Sequence, residues 1–89
     1  MEKDMAEKII KYRKGNNNSL LEIIEIFNPI ISKYSRLLDK EDTRQDLIIH
    51  LIKILNNILI DNKSLVKNKE IIGYIAKSIR NEYIKLSKK

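Results

Sequence analysis

An all-α fold, a compact bundle of four helices, is what this 89-residue chain predicts. Three observations carry that expectation. Apolar residues recur three and four positions apart instead of alternating. Only two glycines and one proline interrupt them. The periodic segments are parted by short polar breaks that contain helix-capping residues. Isoleucine is abundant and leans toward strands on intrinsic preference, but its spacing here is helical. The length suits one domain, 1–89, built on one modest core.

The first helix is expected over about 5–14, where Asp4 and Glu7 have capping-box spacing and Gly15 supplies a stop. Asn16, Asn17 and Asn18 read as a turn. Ser19 and Glu22 give a second capping box, opening a helix over about 19–38. Its stripe is Leu20, Ile24, Phe27, Ile31, Tyr34 and Leu38, a rhythm that runs straight through Pro29. Proline removes a backbone donor and crowds the preceding turn, so a kink at Asn28-Pro29 is expected, not a break. Tyr12 and Tyr34 are assigned to packing between the first two helices. Asp39-Lys40-Glu41-Asp42 is an acidic start, favourable against the dipole of a third helix over about 41–60. There Leu47, Leu51, Ile54, Leu55 and Ile58 form the buried stripe. Ile48, Ile49, Ile52, Leu59 and Ile60 widen the apolar surface, as in the central helix of a bundle or, less commonly, one whose second face a partner covers. A basic loop leads to Asn68, a cap for a fourth helix over about 69–88. That helix sets Ile72, Ile75, Ile79, Tyr83 and Leu86 on one face. Tyr74, Lys77, Asn81, Lys85 and Lys88 fall opposite.

Composition narrows the function. The chain has no cysteine, hence no disulfide framework or thiolate metal site, as suits a reducing cytoplasm. Its one histidine, His50, makes no metal site alone. No apolar run approaches the roughly 20 residues that span a bilayer. No nucleophile–base pairing is visible. Asp46 and His50, four apart, can meet on one helical face, and that spacing reads as a surface ion pair. Glu41, Asp42 and Asp46 are explained by a helix-start charge cluster without a metal. The chain is therefore not expected to be an enzyme or to need a cofactor. Of the net charge of +6, +5 lies between Asp61 and Lys89. A helix that buries one face and offers cations, an amide and a ring on the other suits nucleic acid, since these groups hold phosphates and meet bases. A solvated basic surface accounts for the charge equally well.

Two segments resemble a known family. Asp39 to Ile48, with Asp42, Gln45 and Asp46 at the characteristic spacing, resembles the start of region 2.2 in sigma-70-family RNA polymerase sigma factors. Tyr74-Ile75-Ala76-Lys77-Ser78-Ile79-Arg80-Asn81 resembles the run through regions 2.3 and 2.4. The match is to the small, extracytoplasmic-function-like members. The Ile- and Lys-rich composition, with Pro29-Ile30-Ile31 ahead of the acidic motif, is similar to clostridial sigma factors that switch on toxin and bacteriocin genes. The resemblance covers about residues 5–89. Tyr74 stands where small sigmas commonly have Trp, Lys85 where many carry Asp, and Lys88 where Arg is frequent.

The resemblance implies a region 2 domain, the N-terminal part of a longer cytoplasmic protein. It would dock on the β′ coiled coil of core polymerase and recognise the promoter −10 element. On that reading Asp42, Gln45, Asp46, Ile49 and His50 face polymerase. Lys77, Arg80, Lys85 and Lys88 contact DNA phosphates, Lys63, Lys67 and Lys69 steer the displaced strand, Tyr74 stacks on an unpaired base, and Asn81 hydrogen-bonds to a base edge or the backbone. An anti-sigma protein is a further partner that the family allows; a membrane is not. Two rival readings are a helix-turn-helix regulatory domain of a conjugative element, binding duplex DNA, and a protein-binding helical bundle.

Overall fold

The computed structural model describes residues 5–38, 42–58 and 68–88. They form four helices, α1 (Met5–Arg13), α2 (Asn17–Leu38), α3 (Thr43–Asn57) and α4 (Asn68–Ser87), with no strand among the described residues. The all-α bundle is as expected.

α1 ends as its glycine predicts. The Asn16 N–H reaches back to the Lys11 carbonyl at 3.1 Å and the Gly15 N–H to that of Tyr12 at 2.9 Å. This paired arrangement needs a left-handed residue, and Gly15 supplies it with φ of 101°. α2 then starts two residues earlier than expected. Its cap is Asn16, whose Oδ1 accepts the Ser19 N–H at 3.2 Å. Ser19 is buried inside the first turn, and Glu22 instead accepts the Lys8 ammonium at 2.7 Å across α1 and α2. The proposed Ser19–Glu22 capping box is thus replaced by an asparagine cap and an interhelical ion pair. Asp4 lies outside the described residues. α2 continues unbroken through Pro29.

The buried rows share one spacing. Met5 and Ile9 lie under α1; Ser19, Ile23, Phe27 and Ile31 under α2; Thr43, Leu47, Leu51 and Leu55 under α3; Ile71, Ile75 and Ile79 under α4. The steps within every row are of four residues. Three rows therefore differ from the expected stripes: in α3, Thr43 is buried while Ile54 and Ile58 are only half-buried. In α2, Ile23 joins the core while Leu20, Ile24, Tyr34 and Leu38 are half-buried at its margins. In α4, Ile71 is fully buried, and Ile72, Tyr83 and Leu86 flank it.

α3 is not the central helix: α2 and α4 each pack on all three other helices, whereas α3 packs chiefly on α2 and α4. Tyr34 also pairs differently, stacking on Tyr83 of α4 with ring centroids 4.4 Å apart and planes 16° from parallel. Arg44 fastens the start of α3 to α2 through Asn28 Oδ1 at 2.6 Å and Ser32 Oγ at 3.1 Å. The end of α3 is held by Arg13, whose Nε donates to the Leu55 carbonyl at 2.8 Å and whose Nη2 donates to that of Ile58. Ile58 is already extended, at φ −67° and ψ 136°, so α3 stops at Asn57 and not near residue 60. Leu59 and Ile60 lie outside the described residues.

The rows make a direct stability test. Leu51→Ala opens a cavity in a site with no exposure and should cost about 2–5 kcal/mol in denaturant unfolding. Leu37→Ala, on a side chain 60% exposed, should stay within about 0.5 kcal/mol.

Candidate interfaces on the third and fourth helices

α3 turns a mixed face to solvent. Gln45, Ile49 and Asn56 are exposed along it, with Ile52 half-buried between the last two. Asp42 sits at the helix start, exposed, and its carboxylate makes no capping bond. Asp46 is exposed one turn on. The acids and amide expected to face a partner therefore do face solvent, with Ile49, 43% exposed, as the apolar element among them.

His50 is placed differently from the other four. It is half-buried in the seam with α4, where its Nδ1 lies 3.7 Å from Glu82 Oε1. That separation exceeds a hydrogen bond, and the pair attracts strongly only when the imidazole is protonated. The expected Asp46–His50 contact is replaced by this link between helices.

On α4, Tyr74, Lys77, Asn81, Lys85 and Lys88 are all exposed. Their steps of three and four set them along one side of the helix. Arg80 is exposed too, but six residues after Tyr74 it points about 120° away, on the other flank. Lys69 is exposed in the first turn. Lys63 and Lys67 lie outside the described residues. The side chains of the ridge lie clear of the core, because Ile71, Ile75 and Ile79 take the opposite face.

The two helices also share a shallow, open cleft lined by His50, Lys53, Ile54, Asn57 and Ile58 of α3 and by Tyr74 of α4. Tyr74 is 56% exposed at its edge. A ring, a cation and an amide thus surround an apolar lining, a set of groups able to receive a planar, anionic ligand. Asn57 is steadied by its own Nδ2, which donates to the Lys53 carbonyl at 2.7 Å. Lys53, Asn57 and Glu82 do not stand out in the sequence, because their importance comes from the α3–α4 pairing. Among the described residues no group of three or more acidic or histidine side chains is arranged to hold a metal. Nor is any helix among them long and apolar enough to cross a membrane. The exposure pattern predicts that mild nitration with tetranitromethane, mapped by peptide mass spectrometry, modifies Tyr74 ahead of the stacked Tyr34 and Tyr83.

Comparison with known proteins agrees with the motifs. The chain is 29% identical over 85 residues to the RNA polymerase sigma factor TcsR of Paraclostridium sordellii, an alignment covering 96% of this chain and 50% of that protein. It is 33% identical over 87 residues to a Clostridium perfringens protein named bacteriocin UviA, covering 88% of this chain and 47% of the relative. The chain therefore spans about half the length of the curated relatives it matches. No protein-family profile matches it, and no solved structure does. Similarity to clostridial sigma factors over nearly its whole length makes this chain sigma-factor-like, in keeping with its acidic motif on α3 and the tyrosine-to-asparagine run on α4.

Proposed function

We propose that this chain is the part of a sigma factor that docks on the β′ coiled coil of RNA polymerase core and reads the promoter −10 element. The observation that carries the reading is the pair of solvent-facing ridges on adjacent helices. One is acidic and amide-bearing on α3; the other is cationic and aromatic on α4. Neither is consumed by the contacts of the bundle.

Asp42, Gln45 and Asp46 give charge complementarity and register against a basic partner, with Ile49 as the apolar centre and His50 at the margin. On α4, Lys77, Lys85 and Lys88 follow the phosphate backbone, and Lys69 extends that field at the start of the helix. Arg80 approaches from the other flank. Lys63 and Lys67, outside the described residues, are assigned by the same reading to steering the displaced strand. Tyr74 stacks on an unpaired base at the mouth of the cleft, and Asn81, two turns on, hydrogen-bonds to a base edge or the backbone. Extruding a base costs a few kcal/mol, so such a domain works together with polymerase instead of opening a duplex alone. The chain performs no chemistry and needs no cofactor in this role.

Capture of the chain by purified core polymerase tests the docking half. Replacing Asp42, Gln45 and Asp46 together by Ala should lower core affinity roughly tenfold or more while helicity is retained. Unchanged affinity would remove the docking assignment. A duplex gel shift in the absence of polymerase separates the rival in which the chain binds DNA by itself.

The DNA half is tested in the holoenzyme on a promoter-strand oligonucleotide. Tyr74→Ala with Asn81→Ala should weaken strand binding, the ring alone contributing about 1–3 kcal/mol. Core affinity should not change. Removing Lys77 and Lys85 should flatten the salt dependence of strand binding by about 0.7 in log–log slope per lysine.

A further inference from the structure

Arg13 belongs to neither candidate interface. It is the last residue of α1, and its side chain crosses to a segment 42 to 45 positions away in sequence. Nε donates to the Leu55 carbonyl at 2.8 Å and Nη2 to the Ile58 carbonyl. The first acceptor belongs to the last turn of α3, whose final carbonyls have no donor within their own helix, and the second to the extended residue that follows it. A cation there also opposes the negative end of the helix dipole. Two further features make this contact a positioning device. The α1 terminus that carries Arg13 is fixed by the Gly15 turn and its two backbone bonds, so the guanidinium projects from a firm base. And Asn57 and Ile58, which lie between and at the two captured carbonyls, line the α3–α4 cleft opposite Tyr74.

The geometry points to Arg13 as the positioning residue that sets the α3 wall of this cleft, and through it the fit of an unpaired base against Tyr74. The inference rests on the proposed reading of the cleft as a base-receiving surface. A planar fork spans both carbonyls at once, with Nε on one and Nη2 on the other. A lysine ammonium, a point charge on a flexible stem, cannot reproduce that. Charge at this position is therefore not sufficient.

The test uses Arg13→Lys, Arg13→Ala and the neighbouring control Lys14→Ala in the full chain. In NMR spectra of the free protein, both Arg13 variants should shift the Asn57 side-chain amide and the Tyr74 ring signals, and Lys14→Ala should shift neither. In the holoenzyme, Arg13→Lys should weaken promoter-strand binding roughly fivefold, the equivalent of one net hydrogen bond, with core affinity held within about twofold. Unmoved cleft signals would overturn the inference, as would equal losses of strand and core binding, which indicate general destabilisation. If Arg13→Ala does not fold, Arg13→Lys decides. If the wild-type holoenzyme does not bind the strand at all, the base-receiving reading fails, and the NMR shifts still decide whether Arg13 sets the wall.

Discussion

Four rows of buried side chains, each stepping by four residues, hold this molecule together. A step of four overshoots the helical repeat of 3.6, so each row winds obliquely around its helix. Only neighbours inclined to suit that winding can interlock with it. With no cysteine to cross-link the chain, this interlocking is its main source of stability. α2 and α4 each meet all three other helices, and the α2 row of Ser19, Ile23, Phe27 and Ile31 is enclosed among them. Ser19 shows how tight the crossing is, since a small side chain stands buried at the start of the row.

Polar contacts then settle what the rows leave open. Arg44 secures the first turn of α3 on α2, and Arg13 secures the last from α1. The Tyr34–Tyr83 stack fixes α4 against α2, and His50 and Glu82 face each other across the seam with α3. These ties lie outside the core rows. They define the rotation and end points of α3 and α4, which determine what those helices display. What α3 and α4 turn to solvent thus depends on a few side chains that link the helices to one another.

The helices were legible in the sequence because apolar spacing of three and four admits little else. The buried rows were less so. A rhythm of four, three, four follows the helix axis and selects Leu20, Ile24, Tyr34 and Leu38. The true row advances by four at each step and takes Ile23 instead. Both rows pass through Phe27 and Ile31, so sequence alone could not separate them before the inclination of the partner was known. The same reason moved Ile71 into the core. Asn16 was hidden as a cap because three consecutive asparagines and a serine compete for that position. Of the candidate interfaces, the exposed side of α4 followed from helical geometry alone. Partners distant in the chain did not: His50 with Glu82, Tyr34 with Tyr83 and Arg13 with Leu55 and Ile58 exist only once the bundle has closed. The turn of Arg80 away from the ridge, by contrast, was already implied by its spacing from Tyr74.

The division of labour on α4 has an evolutionary corollary. Its outward residues hold nothing else in place, while Ile71, Ile75 and Ile79 anchor the helix from behind. Substitutions along the outer side therefore leave the scaffold almost indifferent, and selection can rewrite them freely. A chain altered at several of these surface positions, one after another, still folds as well as its parent at each step.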